Sequence, residues 1–419
     1  MSALGTQFMH HVLHGLFLVY AILVMTHFAL QVVFAQLAYR RARAARERRP
    51  PLQRFPDVDV IITSYNEEPK SLDACLASLA DQDYPGRIAV WVVDDASPNR
   101  WDVIPTYISY SERPGWQALL VTSNRGKRGA QDVAFHECTG EIVVTIDSDT
   151  QVASDGITEL VHALDAPEVG AVTGNVGVTN WRTNLLTRLI EMRYWVAFNQ
   201  ERAAQSYFGT VLCCSGPLAA YRRDVLNQVW DRYVTQTFRG IDCTYGDDRH
   251  LTNLVLAAGY DTAYVPFAEA VTNAPETIPS YLRQQLRWNK SFYRELLWTL
   301  PYVLTRPPYM VFEMLVQAAL PLLLTLAVVS SLVVAAVDNP FHLVHYVAMV
   351  AAMALVRCSY AIYRTRRLSF VLFVTYGFLH LALLIPTRIR ALLTLSDNRW
   401  GTRTTVQRTQ TPAAGVARI

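Results

Sequence analysis

Asp147 and Asp149 stand two apart in the run TIDSDT. Across a turn both can face one divalent ion, and their oxygens are the hard ligands that magnesium and manganese take. Such an ion usually completes its shell with phosphate oxygens, which calls for a nucleotide diphosphate. RGKRG at 125–129 offers a basic loop before a helical stretch, where Lys127 can meet phosphate beside backbone amides. Alone it is a solvated turn; beside the acidic pair it becomes a phosphate loop. No G-x-x-x-x-G-K-[ST] occurs, so a kinase or ATPase reading loses most of its support. Further on, YGDDRHL (245–251) sets Asp247 and Asp248 before a helix. They suit an N-cap, and equally a general base that takes a proton from an attacking hydroxyl. Gln284, Arg287 and Trp288 form Q-x-x-R-W. Its arginine can hold a leaving diphosphate, and its aromatic face can stack on a sugar.

These side chains need elements to present them. DVDVIIT (57–63), AVWVVDD (89–95), ALLVT (118–122), EIVVTID (141–147) and GAVTGN (170–175) read as strands, and SLDACLASLADQ (71–82) and GAQDVAFHECTG (129–140) as helices. The alternation predicts an α/β, Rossmann-like domain with a mostly parallel sheet, whose ligands gather beyond the carboxyl ends of the strands. Three strands end in acidic turns: SYNEE (64–68), DDAS (94–97) and DSD (147–149). Singly each is an ordinary turn former. Together they mark one site.

The chain has 419 residues, 51% hydrophobic and 17% charged, with the apolar residues gathered at both ends. A net charge of +3 is too small to suggest nucleic acid as a partner, and the positive charge is local instead. Six cysteines without C-x-x-C spacing indicate neither a zinc site nor a disulfide framework, and suit a reducing cytosolic face. Segment 13–39 carries no Asp, Glu, Lys or Arg and exceeds the roughly 20 residues that span a bilayer. It has no basic n-region and reads as a retained transmembrane anchor. The linker 40–56 opens with six arginines against one glutamate, which places it in the cytoplasm and against lipid headgroups. The expected order continues with a catalytic domain at 57–278, an amphipathic interface helix at 279–303, and transmembrane helices at 309–337 and 341–363. A transmembrane or re-entrant segment follows at 368–395, then a cytoplasmic tail at 396–419. Gly377 and Pro386 interrupt the 368–395 segment, which predicts a re-entrant or interfacial hairpin with both ends cytoplasmic. The N-terminus would lie outside a multi-pass inner (plasma) membrane protein.

Asp95, Asp147-Ser148-Asp149, Gly246-Asp247-Asp248 and Gln284-Gln285-Leu286-Arg287-Trp288 occur in the order found in processive inverting glycosyltransferases, and the chain resembles that family from about residue 57 to 291. Two branches look similar: bacterial hyaluronan synthase and the rhizobial chitooligosaccharide synthase of nodulation. RWNKSF (287–292) and NRWGTR (398–403) look like the first, while the single N-terminal span looks like the second.

The resemblance implies a GT-A fold and a donor site in which Tyr65, Glu67 and Asp95 hold uridine, Tyr65 stacking on uracil. Lys127, Asp147, Arg287 and Arg403 would hold the diphosphate, with Mg2+ or Mn2+ on Asp149 and Asp147. It also implies Asp248 as base beside Asp247, Trp288, Gln284 and Cys214 on the acceptor side, and Trp400 as a gating residue. The partners would be UDP-GlcNAc with UDP-GlcA for hyaluronan, or UDP-GlcNAc alone for chitooligosaccharide, together with the growing polysaccharide and the bilayer. A silent membrane scaffold is a third reading, disfavoured by the intact motifs.

Overall fold

The computed structural model describes residues 3–50, 52–337, 339, 341–398 and 416–419. At the centre lie β1 (Val58–Ser64), β2 (Ile88–Asp94), β3 (Trp116–Val121) and β4 (Ile142–Asp147), mutually parallel in the order β3-β2-β1-β4. Val58, Val60, Ile61 and Ile62 are all buried, the near-continuous apolar run of a strand covered on both faces. The expected helices at 71–82 and 129–140 form as Pro69–Ala80 and Gly126–Phe135.

Beyond β4 the sheet departs from the expected parallel order. After the short β5 (Gln151–Val152) and β6 (Val169–Val178), β7 (Ala219–Arg222) enters antiparallel between β4 and β6. Its four residues, AAYR, are too few to show a period. A small hairpin, β8 (Thr237–Phe238) with β9 (Ile241–Asp242), precedes β10 (Asp261–Thr272), which pairs parallel with β6 and antiparallel with β5. β11 (Val416–Arg418) closes the far edge antiparallel to β3. The result is one mixed sheet ordered β11-β3-β2-β1-β4-β7-β6-β10-β5 among the described residues.

The described residues hold four helices long and apolar enough to cross a membrane: Gly15–Arg48, Pro308–Val333, Leu343–Thr365 and Leu368–Leu393. The first belongs to a helix, Ala3–Arg48, that carries straight on through most of the arginine run. Those arginines were expected to act as a topology signal and to meet lipid. Arg46 instead pairs with Glu159 and Asp155, each at 2.9 Å, and Arg49 with Glu159 at 3.0 Å. The anchor is thereby clamped to the catalytic domain.

The 368–395 segment, expected as a transmembrane or re-entrant stretch, is helical among the described residues. It is one irregular helical run, 3-10 over Leu368–Phe373, α over Val374–Leu379, π over His380–Leu384 and α again over Ile385–Leu393. Both of its ends nevertheless rest on the catalytic half of the molecule. Arg367 pairs with Glu191 at 2.9 Å just before it, and Arg388 reaches Asn289 at 2.8 Å near its close. Ile385 packs against Tyr20, Val24 and Leu324 of the other long apolar helices. The π turn and Pro386 interrupt the regular hydrogen-bond ladder.

Candidate active site

The carboxyl ends of β1, β2 and β4 meet on one side of the sheet. β2 ends in two aspartates with different tasks. Asp94 is fully buried and fixed by Arg100 Nε at 2.8 Å and the Tyr107 hydroxyl at 3.2 Å, so it is structural. Asp95 faces the basic loop, where its Oδ1 accepts from the backbone N–H of Arg125 at 2.6 Å. Past β1, Glu67 accepts from the Ser148 hydroxyl at 2.7 Å, tying SYNEE to the middle of D-x-D. Tyr65 is half-buried in the same turn.

Lys127 lies deeper than a phosphate loop required. Its Nζ is 2.6 Å from Asp147 Oδ1 and 3.1 Å from Asp247 Oδ2, bridging two motifs 100 residues apart in sequence. Burial works against the ammonium, but Asp147 and then Asp247 raise it well above its ordinary value and keep it charged. Burial works against the Asp247 carboxylate too, yet Lys127 holds it below the usual range. The neighbouring Asp248 goes the other way, pushed up by burial and then by the Asp247 charge. Two adjacent carboxyls are thus pushed in opposite directions, one held as a paired anion and the other made more basic.

Gly246 caps the helix Asp247–Ala257 with φ of +81°, and a Cβ there would collide with Ser291 Oγ. The close approach seats the base motif on the helix Ile278–Thr299, which carries Q-x-x-R-W. Burial pushes the Tyr245 phenol up to about 12 against the pull of Arg294 and Arg287, so Arg287 also lies beside this turn. Trp288 is 45% exposed, a free face for a ligand. Gln284 Oε1 is buried with no hydrogen-bond partner among the described residues, an acceptor available to a sugar hydroxyl. Arg294, fully buried, donates to Leu395 O at 2.8 Å and Asn398 Oδ1 at 2.7 Å, while Lys290 reaches Asp397 O at 3.1 Å. The segment leading to W-G-T-R is therefore strapped to the same helix. Trp400 and Arg403 themselves lie outside the described residues.

The floor of the site is a segment that sequence reasoning picked out only for its family likeness. Cys213 Sγ is 3.4 Å from Asp248 Oδ2. Three residues on, a Cβ at Gly216 would meet Lys127 Nζ at 2.8 Å and both Asp147 oxygens at 3.1 Å. A side chain there would have to displace the Lys127 ammonium, so the backbone passes close under the bridge. Cys214, expected on the acceptor side, is instead wholly buried in the core, its N–H donating to Thr252 Oγ1 at 2.8 Å. Successive side chains of an extended segment point opposite ways, so it is Cys213 that turns toward Asp248.

A divalent ion suits this donor set in part. Burial, then the charges of Asp147 and Glu67, push the Asp149 carboxyl up to about 7, a concentration of negative charge that a cation would relieve. No cluster of three or more His, Cys, Asp or Glu side chains placed to ligate one ion is present among the described residues. Asp149 and Asp147 would therefore hold an ion that takes its remaining ligands from the substrate.

Comparison with known proteins bears on the family and the fold. The family model "Glycosyl transferase family 2" matches residues 59–230. An N-acetylglucosaminyltransferase of Rhizobium meliloti is 42% identical over 389 residues, covering 92% of this chain and 90% of its own. One of Sinorhizobium fredii is 45% identical over 350 residues, 83% and 84% respectively. A mannosyltransferase from Pyrobaculum calidifontis, solved in complex with GDP-Man and Mn2+, superposes with a TM-score of 0.60 at 23% identity, covering 92% of this chain and 100% of that one, and shares the fold. The names of the relatives move the balance from hyaluronan synthase, the reading that W-G-T-R favoured, to the chitooligosaccharide alternative.

Proposed function

Because the chain belongs to glycosyl transferase family 2, we propose that it is a membrane-bound, inverting N-acetylglucosaminyltransferase that builds a chitooligosaccharide from UDP-GlcNAc. The observation that carries this reading is Asp248 held beside the Lys127–Asp147 contact, a proton acceptor next to a diphosphate cradle, with the Cys213–Gly216 segment beneath both.

Asp248 takes the proton of the acceptor hydroxyl as that oxygen forms its bond to the anomeric carbon. The bond from that carbon to the diphosphate oxygen breaks with its electron pair leaving on UDP, and a single displacement inverts the configuration. Lys127 and Arg287 meet the charge that grows on the diphosphate. Trp288 and Gln284 orient the acceptor, one through its exposed face and one through its buried acceptor oxygen. A divalent ion on Asp149 and Asp147 would add positive charge at the leaving group. Asp95 and Glu67 frame the uridine, with Tyr65 stacking on its base. Arginine-rich 40–49 supports a cytoplasmic catalytic domain, and the adjoining apolar helices support export of the product between them.

Membranes carrying the protein, incubated with labelled UDP-GlcNAc and UDP-GlcA singly and together, test the donor. Oligosaccharide from UDP-GlcNAc alone is expected. A strict need for both donors would favour hyaluronan, the second reading that the W-G-T-R ending supports.

A further inference from the structure

The reaction above assigns no task to Cys213, yet its thiol is the side chain placed on the base. Asp248 Oδ1 accepts from the backbone N–H of Arg249 at 2.8 Å, and Oδ2 faces Cys213 Sγ at 3.4 Å. Each carboxylate oxygen thus has a donor of its own. The thiol is held in place from two directions. Arg202 Nε donates to the Cys213 carbonyl at 3.0 Å. On the other side the Cys214 N–H donates to Thr252 Oγ1 at 2.8 Å, and the Thr252 hydroxyl donates to Asp248 O at 2.7 Å. Base and thiol are therefore parts of one stitched unit.

We propose that Cys213 is a positioning residue for the general base: its S–H fixes Asp248 Oδ2 toward the acceptor and restrains its basicity until the acceptor hydroxyl replaces the thiol as donor. The proposal rests on Asp248 being the base. Burial, and then the Asp248 charge, push the Cys213 thiol up to about 12, so it stays protonated and can only donate. A thiol is a weak donor, and exchanging it for a hydroxyl from the substrate favours the occupied site. The charges facing Asp248 are Asp247, which raises it, and Lys127 and Arg249, which lower it. Buried Cys214 and Tyr221 stand close by. Cys213 is the neutral donor in this set, so its removal changes the hydrogen bonding of Asp248 without changing the charge around it.

The test is the pH profile of initial transfer from UDP-GlcNAc for the wild type, Cys213→Ala, Cys213→Ser and Asp248→Asn, with UDP affinity measured on each. Loss of a donor to a carboxylate raises its pKa, so Cys213→Ala should move the acid limb up by about half a pH unit and weaken acceptor use several-fold at unchanged UDP affinity. Cys213→Ser, which keeps a donor and a stronger one, should leave the acid limb at or below the wild-type position. An alanine variant with the wild-type limb and acceptor dependence would overturn the role. Appreciable transfer by Asp248→Asn would overturn the base assignment instead.

Discussion

Lys127 Nζ lies 2.6 Å from Asp147 and 3.1 Å from Asp247, joining the D-x-D turn after β4 to the residue next to the base. The contact makes one ammonium responsible for both halves of the site. Without it two carboxylates face each other with no cation between them. Lys127→Met should lower transfer by about 100-fold, the order expected when a preorganised charge at a leaving group is removed. Steady-state rates on UDP-GlcNAc check this, and an active Lys127→Met would show that the bridge is dispensable.

Asp248→Asn should abolish transfer, by about 100-fold or more, while UDP affinity stays near wild type, because the amide keeps the shape but cannot take a proton. Calorimetric titration with UDP alongside a transfer assay separates the two effects.

The Asp149 carboxyl is pushed up to about 7 by burial and by Asp147 and Glu67, against about 3.9 in an unfolded chain. Between those values the folded state binds more protons, so stability should fall as pH rises through this window and remain lower above it. A cation at the site opposes that loss. Added Mn2+ should therefore raise Tm more at pH 8 than at pH 6, and Asp149→Asn should flatten the difference. Thermal scans in detergent measure it; an undiminished Mn2+ response in the variant would place the ion elsewhere.

Gly246 combines φ of +81° with an approach that leaves no room for a Cβ beside Ser291. Gly246→Ala should cost at least about 1 kcal/mol from the left-handed backbone alone, and should push the base helix off its neighbour. A lower Tm with a larger fall in kcat is expected. Ser291→Gly in the same chain should recover part of the activity by removing the clash.

Trp288 is 45% exposed on the helix that Gly246 touches. Trp288→Ala should raise KM for the acceptor about tenfold, the loss of one stacking face, and leave KM for UDP-GlcNAc near wild type. Equal effects on both constants would count against stacking.

The central strands were legible because burial on both faces demands apolar β-branched runs, and their acidic ends were legible because little else puts acidic side chains after three such runs. The long apolar helices were legible too, since an uninterrupted apolar run of that length leaves few alternatives to a helix able to cross a bilayer. β7 was not, because four residues carry no period and its pairing with β4 and β6 is wholly long-range. Nor was the fate of Arg46 and Arg49: a run of arginines specifies charge, and only the docking of Glu159 beside it specifies a partner.

The sequence by itself determined the residue types of the site and the order of its motifs, because the chemistry requires those groups whatever surrounds them. Tertiary structure decided which partner each received. Which carboxylates Lys127 bridges, and whether Cys213 or Cys214 turned toward Asp248, depended on contacts between segments far apart in the chain. Charges and hydrogen bonds act through space over a few ångströms, and sequence distance carries no record of that proximity.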